Sequence, residues 1–151
     1  MKFWQKFILA FLAIFIIDQA IKLVFINGFR FDGSWLSLVL VYNKGVAFSM
    51  FAFLQDYLKY LQLLLLAVVG YYFYKEKLIF KYPFISGILF GAGVSNVFDR
   101  FIREGVVDYV YYHGWFNFAV FNFADVMIDF SIGMLFLFYL KERNENIDNR
   151  G

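Results

Sequence analysis

The sequence predicts an all-α membrane protein with four transmembrane helices, a small β-rich segment and an amphipathic lid on the outer face. Of its 151 residues, 62% are hydrophobic and 25% are aromatic, whereas only 17% are charged. This composition is too apolar for a water-soluble surface. Four apolar runs are long enough to cross a hydrocarbon core about 30 Å thick. We therefore expect one integral membrane domain over residues 1–151.

The four expected spans differ in length and polarity. We place them at about 7–26, 57–74, 82–98 and 121–140. The second and fourth are the clearest, and the third is short and Gly-rich, which suits close helix packing. We interpret the first as a retained helix and not as a signal peptide. It lacks a small-x-small cleavage site and contains Asp18, Gln19 and Lys22.

Basic residues set the expected orientation of the spans. Eight of them lie before the first span, between the second and third, or after the fourth: Lys2, Lys6, Lys75, Lys77, Lys81, Lys141, Arg143 and Arg150. The other two connections contain four, which are Arg30, Lys44, Arg100 and Arg103, and Lys59 lies at a span edge. Because Lys and Arg favour cytoplasmic connections, both termini are expected in the cytoplasm.

The two connections on the outer face, 27–56 and 99–120, are rich in aromatic residues. The β-branched and aromatic content around 35–42 predicts a short strand or two on the membrane surface, ended by the sequence Asn43-Lys44-Gly45. The segment 107–121 is expected to form an amphipathic lid. Such apolar connections favour an enzyme that handles a lipid-embedded substrate over a bare transporter or scaffold.

Missing residue types narrow the possible chemistry. The chain has no Cys, no Thr and a single histidine, His113. Thiol nucleophiles, disulfides and Cys-ligated zinc are therefore excluded, and a Ser-His-Asp triad would need His113, which we interpret as an interfacial residue. With 14 basic and 12 acidic residues, the chain lacks the charge pattern of a nucleic-acid-binding protein. We expect no metal and no cofactor.

Polar side chains within or beside the spans are unexpected, because an ionisable group in a membrane costs at least a few kcal/mol and usually marks function or a buried pair. They form three groups, Asp18 with Lys22, Asn96 with Asp99, and Asn122 with Asp125 and Asp129. Each group also has a structural interpretation, as an ion pair, a helix cap or an interhelical hydrogen bond. The expected orientation places most of them near the outer membrane boundary.

Two carboxylates at the same depth provide the parts of a proton-sharing pair. Like charges held close together cannot both ionise cheaply, so one member stays protonated near neutral pH. In peptide hydrolysis, the ionised member takes a proton from water and the protonated member donates to the scissile carbonyl. Spacing alone leaves three pairs open, which are Asp108 with Asp125, Asp125 with Asp129, and Asp99 with Asp108.

Five blocks follow one another along the chain: Asp18-Gln19 with Lys22, Asn43-Lys44-Gly45-Val46-Ala47-Phe48, the run from Gly91 to Arg100, Gly105-Val106-Val107-Asp108-Tyr109, and Phe121-Asn122-Phe123-Ala124-Asp125. In this order and spacing they resemble the lipoprotein signal peptidases, also called signal peptidase II, a bacterial family of four-span aspartic peptidases. The resemblance covers nearly the whole chain. It departs mildly at Ser95, where Gly is commoner, and at Tyr109, where Phe is usual.

The resemblance implies that Asp108 and Asp125 are the catalytic aspartates. It implies that a further set of residues shapes the site or binds substrate: Asp18, Lys22, Asn43, Gly45, Asn96, Asp99, Arg100 and Asn122. The implied substrate is a prolipoprotein whose cysteine carries a diacylglyceryl group, cut just before that cysteine at the bacterial cytoplasmic (inner) membrane. The segment 27–56 would cradle it, and the segment through 113–117 would close over the aspartates. We expect a monomer whose partners are these substrates and membrane lipids.

Two other functions stay open at this point. A small proton-coupled transporter would use Asp18, Lys22 and Asp129 as a relay, although the polar residues gather at one face of the membrane and the halves show no inverted repeat. A non-enzymatic assembly factor would tolerate asparagine in place of the aspartates.

Overall fold

A computed structural model describes residues 2–45, 55–103 and 105–148. Its elements in chain order are α1 (Phe3–Ile26), β1 (Leu36–Asn43), α2 (Gln55–Lys75), α3 (Leu78–Lys81), α4 (Pro83–Ile102), β2 (Val106–Tyr112) and α5 (Phe123–Asp148). The prediction of a mainly helical protein with a small β segment is confirmed. Val46, Ala47 and Phe48 of the second sequence block lie outside the described residues.

Within the described residues, three helices are long and apolar enough to cross a membrane. They are α1, α4 and the part of α5 from Phe123 to Asn146. Helix α2 has 21 residues, contains the polar residues Lys59 and Gln62 and several tyrosines, and is not one of these three. The chain is thus a multi-pass membrane protein, and a fourth span in α2 remains a prediction.

The long helices direct apolar side chains outward and polar ones inward. Ile16, Leu64 and Phe136 are 60%, 61% and 58% exposed, whereas Asp18 and Lys22 are fully buried. This distribution is the reverse of that in water-soluble proteins. It suits a hydrocarbon solvent, in which polar groups must find partners inside the protein.

Helices α1 and α4 pack with their backbones in direct contact. A Cβ added at Gly87 or Gly91 of α4 would lie closer than 3.0 Å to the main-chain carbonyl oxygen of Phe7 or Phe11 in α1. Small residues of this kind allow membrane helices to approach closely. The contact fixes the polar residues of α1 against those at the end of α4.

Helices α4 and α5 run antiparallel and are joined at the end where α4 begins. Pro83 occupies the first turn of α4, a position where a proline costs no hydrogen bond. The ring of Tyr82 stacks on that of Phe138 with centroids 4.8 Å apart. The Tyr82 hydroxyl and the Lys81 ammonium both donate to the carboxylate of Glu142. We call Lys81, Tyr82, Phe138 and Glu142 the far-end cluster.

Strands β1 and β2 form a two-stranded antiparallel sheet, with Leu36 opposite Tyr112 and Asn43 opposite Val106. The strand expected around 35–42 is confirmed as β1. Residues 107–112 of the segment expected as a lid belong to β2 instead, because their β-branched and aromatic side chains suit a pleated sheet. An additional bridge joins Val110 to Phe121 and returns the chain to the start of α5.

Candidate active site

Asp108 lies in β2 and is only 2% exposed. It stands opposite Val41 of β1. Asn43, two residues after Val41 and therefore on the same face of the sheet, donates from its Nδ2 to Asp108 Oδ2 over 2.9 Å. Asn122 Nδ2 donates to the other oxygen, Asp108 Oδ1, over 2.7 Å. Amide donors thus hold both carboxyl oxygens.

Asp125 lies in the first turn of α5. Its main-chain N–H donates to Asn122 Oδ1 over 2.9 Å, and its own Oδ2 accepts from the Asn122 main-chain N–H over 3.1 Å. This reciprocal pair is a capping box, which gives a local reason for α5 to begin here. Asn96 Nδ2 donates to Asp125 Oδ1 over 2.8 Å, so both oxygens of this carboxylate also have donors.

Asn96 and Asn122 connect the two aspartates. Asn122 Nδ2 donates to Asn96 Oδ1 over 3.2 Å as well as to Asp108. A side-chain amide has both an acceptor and donors, so the two amides form a continuous chain of hydrogen bonds between Asp108 and Asp125. Three pairs of aspartates were left open by spacing. Among the described residues, Asp108 with Asp125 is the one pair that a chain of side-chain amides connects. Asp129 is exposed and lies one turn beyond Asp125.

Behind the aspartates lies a buried ion cluster of Asp18, Lys22 and Asp99, which we call the brace. Lys22 Nζ is 2.7 Å from a carboxylate oxygen of each aspartate of the brace and donates to Asn96 Oδ1 over 2.9 Å. The three brace side chains are fully buried. The three acceptors, Asp18, Asp99 and Asn96, match the three protons of the Lys22 ammonium group.

The brace also holds the main chain beside each candidate catalytic residue. Asp99 Oδ2 accepts from the N–H of Val107 over 3.1 Å, immediately before the aspartate of β2. Asp18 Oδ1 accepts from the N–H of Ala124 over 3.0 Å, immediately before the aspartate of α5. Because Lys22 pairs with both carboxylates, one side chain of α1 fixes the position of both elements.

Three residues that the sequence analysis did not assign to the site extend the brace. Gln19 Nε2 donates to Ser95 Oγ over 2.8 Å and to Asp99 Oδ1 over 2.9 Å. Ser95 Oγ donates to Asp18 Oδ2 over 2.6 Å, and Arg103 donates to Asp99 and to Gln19. The polar Gln19 within an apolar run was the available signal. Ser95, where the sequence departs from the resemblance, adds a bridge between α1 and α4.

Arg100 holds the end of β1 against the site. Its guanidinium donates to the main-chain carbonyl oxygens of Asn43, over 3.3 Å, and of Gly45. The Gly45 N–H donates to Asn43 Oδ1 over 3.0 Å. These contacts orient the Asn43 side chain so that its amino group faces Asp108.

Asp108 and Asp125 line one cavity of about 500 Å³. Its other polar lining residues are Asn43, Gln62, Asn96, Arg100 and Asp129. An adjoining apolar cavity of about 550 Å³ lies among α2, α4 and α5. The two cavities share Gln62, Asn96 and Asp125 as lining residues, so the polar cavity borders an apolar one, as suits a partly hydrophobic substrate.

Burial and the nearby negative charge of Asp125 raise the pKa of Asp108 to about 7, although hydrogen bonds from Asn43 and Asn122 oppose the shift. An Asp in water has a pKa near 3.9. Asp108 therefore retains a proton close to neutral pH, as a general acid must.

His113 directly follows β2 and is not among the residues that line either cavity. Its Nε2 is 2.8 Å from Ser37 Oγ, and its main-chain N–H donates to the carbonyl oxygen of Trp35 over 2.9 Å. Within 2–45, 55–103 and 105–148, no group of three or more His, Cys, Asp or Glu side chains is arranged to hold a metal ion.

Comparison with known sequences decides the family. The model of signal peptidase (SPase) II matches residues 10–141. The chain belongs to the signal peptidase II family. A lipoprotein signal peptidase of Helicobacter pylori strain P12 is 52% identical over 144 residues, which cover 93% of this chain and 92% of that protein. One from Sulfurimonas denitrificans is 52% identical over 137 residues, covering 90% and 88%.

Solved structures share the fold of this signal peptidase II family member. A bacterial membrane enzyme determined at 2.3 Å resolution has a TM-score of 0.79 and 22% identity, covering 95% of this chain and 93% of that chain. Another, determined at 1.9 Å, has a TM-score of 0.75 and 22% identity, covering 93% and 96%. Family membership makes this chain a membrane peptidase that removes signal peptides. The transporter alternative gains no support from these relatives.

Proposed function

We propose that this chain is an aspartic endopeptidase that removes signal peptides from diacylglyceryl-modified prolipoproteins, cutting before the lipidated cysteine. One observation carries the proposal. Asp108 and Asp125 come from separate elements, are linked through two asparagine amides and line the same cavity. The names of the relatives in Helicobacter and Sulfurimonas support the substrate class.

The two aspartates divide the proton transfers of peptide hydrolysis. The ionised one accepts a proton from water as the water oxygen attacks the scissile carbonyl carbon, and the protonated one donates to the carbonyl oxygen. When the tetrahedral intermediate collapses, the C–N bond breaks and the leaving nitrogen takes a proton from the pair. Because the carboxyl groups interact, their titration belongs to the pair. The amide donors keep both groups oriented throughout the reaction.

The remaining site residues act by positioning. The brace of Asp18, Lys22 and Asp99 fixes the main chain before each aspartate, and Asn96 and Asn122 orient the carboxyl groups. Asn43 and Arg100 line the β1 side of the cavity, where the substrate chain would lie. Gly45 bonds to both of them through its main chain. We propose that the enzyme acts as a monomer, with both aspartates supplied to the cavity by the same chain.

We also propose four spans, with α2 as the fourth and both termini in the cytoplasm. At 1.5 Å per residue, its 21 residues reach about 31 Å, the thickness of a hydrocarbon core. Its leucines at 63, 64 and 65 are 49%, 61% and 60% exposed, which supports contact with lipid. In this orientation the aspartates lie at the outer boundary of the bacterial cytoplasmic membrane. Acyl chains of the substrate remain in the bilayer there.

A lid over the site is proposed for the rest of the segment 107–121, which is residues 113–121, with 113–117 closing over the aspartates. Trp115 and Phe116 are 84% and 58% exposed, and Phe118 of the same segment lines the polar cavity. Exposed aromatic side chains suit the membrane–water interface. Closure of this segment over a bound substrate would exclude water other than the attacking molecule.

Exchange of each aspartate for asparagine tests the pair. Asp108→Asn and Asp125→Asn should each lower cleavage of a lipidated precursor by about 10²- to 10⁴-fold or more, because each removes one proton-transfer group. Asp129→Asn is the matched control, since Asp129 lies one turn away and lines the same cavity, and it should retain activity. Cleavage is measured by mass spectrometry and protein accumulation by immunoblot. Near-normal cleavage by either of the first two variants would refute the pair.

A further inference from the structure

Gln62 lies in α2 within an apolar run, between Leu61 and Leu63. Its side-chain oxygen Oε1 is buried and accepts no hydrogen bond within the part of the chain that the structure describes. A buried acceptor without a partner is destabilising, and such groups in native proteins generally have a use that explains them. Gln62 takes no part in the proposed proton transfers.

Gln62 stands at the junction of the two cavities. It lines both of them, together with Asn96 and Asp125. Asn96 and Asp125 already bond to each other, and Asn96 Oδ1 accepts from Lys22 and Asn122. Among the described residues shared by the two cavities, Gln62 is therefore the one with an unused buried acceptor.

A substrate of the proposed peptidase must pass this junction. Signal peptides contain an apolar segment before their cleavage site, and the apolar cavity borders the polar cavity that the aspartates line. The main chain between these two regions presents peptide N–H and C=O groups that must find partners away from water. A glutamine amide matches a peptide group, since it has one acceptor oxygen and two N–H donors.

We propose that Gln62 binds the main chain of the substrate, its Oε1 accepting one peptide N–H from the segment before the scissile bond. This inference rests on the proposed function and adds a substrate-binding residue to it. The hydrogen bond forms on binding and persists in the transition state. Such a bond contributes to KM and leaves kcat nearly unchanged.

Gln62→Leu, which removes the amide at similar volume, tests the hydrogen bond. With a lipidated precursor peptide in mixed detergent–lipid micelles, we expect KM to rise about tenfold, the effect of one lost hydrogen bond, and kcat to change by less than about twofold. Leu63→Met is the control, because Leu63 is 49% exposed on the same helix and lines neither cavity. Its KM should equal that of the native chain.

Substrates with a single N-methylated amide identify the partner. Methylation at one position before the scissile bond should raise KM for the native chain about tenfold and should have no further effect on Gln62→Leu. This comparison is a double-mutant cycle, which separates the shared bond from any effect of methylation on the peptide alone. If Gln62→Leu fails to accumulate, Gln62→Asn withdraws the amide by one methylene and should raise KM in the same direction.

Three results would overturn the inference: an unchanged KM, a lower kcat at unchanged KM, or additive effects at every methylated position. A higher melting temperature of Gln62→Leu at unchanged KM would indicate that Gln62 Oε1 binds only water. If the native chain cleaves no lipidated precursor, the proposed function fails separately. Fluorescence anisotropy of the same labelled peptides then gives the affinity ratio between the native chain and Gln62→Leu, and a ratio near one would refute the role of Gln62.

Discussion

Two charged clusters stand at opposite ends of α4 and α5, and they differ in burial. The side chains of the brace are fully buried, with Lys22 2.7 Å from each of two carboxylates. In the far-end cluster, the side chains of Lys81 and Glu142 are 51% and 38% exposed. Water screens an exposed pair, so it contributes little, whereas a buried charge that loses its partner is strongly destabilising. Burial therefore distinguishes the cluster that organises the site from the one that joins two helix ends.

The brace also differs in what its charges contact. Its carboxylates accept main-chain N–H groups from β2 and α5, whereas Glu142 of the far-end cluster accepts from the side chains of Lys81 and Tyr82. A buried ion pair is weak evidence for a gain in stability, because desolvation offsets much of its attraction. Its benefit here is the fixed position of two carboxyl groups.

Among substitutions in the two clusters, Lys22→Met should cause the largest loss of stability and of cleavage. It leaves Asp18 and Asp99 buried without their cation, so we expect a loss of about 3–5 kcal/mol of stability. Cleavage should fall at least about 10²-fold, because small displacements of reacting groups cost this much. Thermal unfolding in detergent and precursor cleavage measure the two effects. A native melting temperature and native activity would break the distinction between the clusters.

The pH dependence of cleavage should be set by Asp108 and Asp125 and should not depend on the far-end cluster. With the pKa of Asp108 near 7, a rise in pH above 7 removes its proton, both aspartates become ionised, and the general acid is lost. We expect kcat/KM to fall about tenfold per pH unit above that value. Profiles over about pH 5–9 measure the fall, and Lys81→Met should reproduce the native profile. A flat profile across this range would contradict the shared-proton mechanism.

Tyr109→Phe tests what a neutral hydrogen bond near the brace contributes, for comparison with the charged contacts of the two clusters. The Tyr109 hydroxyl accepts from the N–H of Phe123 over 2.9 Å, and its ring stacks on Phe25 with centroids 4.2 Å apart. Phe would keep the stacking and lose the hydrogen bond, at a cost of about 1 kcal/mol. Activity should change by only a few-fold. Calorimetry of the purified variant checks the cost, and an unaltered unfolding temperature would argue against it.

Lys81→Met should have the smallest effect. Lys81 is about half exposed, and its pair with Glu142 is accessible to water and salt. We therefore expect no resolved change in melting temperature or in precursor cleavage. The substitution is the same as that proposed for Lys22, so a comparable loss in both variants would show that burial does not separate the clusters.

The helices of this chain could be predicted because the membrane imposes their length. α1, α4 and α5 lie within a few residues of the predicted spans except at the end of α5, which continues to Asp148. β1 followed from its β-branched and aromatic residues. β2 was not recognised, because its partner strand is distant in sequence and Asn43 and Asp108 are 65 residues apart. Local propensity contains no information on such pairing.

The candidate site was predictable as a set of residues but not as an arrangement. Polar residues in or beside apolar runs are visible in the sequence, and the family resemblance assigned roles to nine polar residues and to Gly45. The contact of Asp18 with Ala124 joins positions 106 residues apart and depends on how α1 packs. Gln62 was equally visible as a polar residue. Its importance lies in a missing partner, which only the packing of α2 against the cavities reveals.

The close contact of α1 and α4 has a consequence for mutational tolerance. Lys22 lies eleven residues beyond Phe11, whose carbonyl oxygen meets Gly91, or about 16 Å along the helix axis. A methyl group at Gly91 would therefore push the axis of α1 outward. This shift would displace the Lys22 ammonium group, whose three partners all lie within 2.9 Å. Substitution of Gly91, which lines neither cavity, would thus impair the active site from a distance.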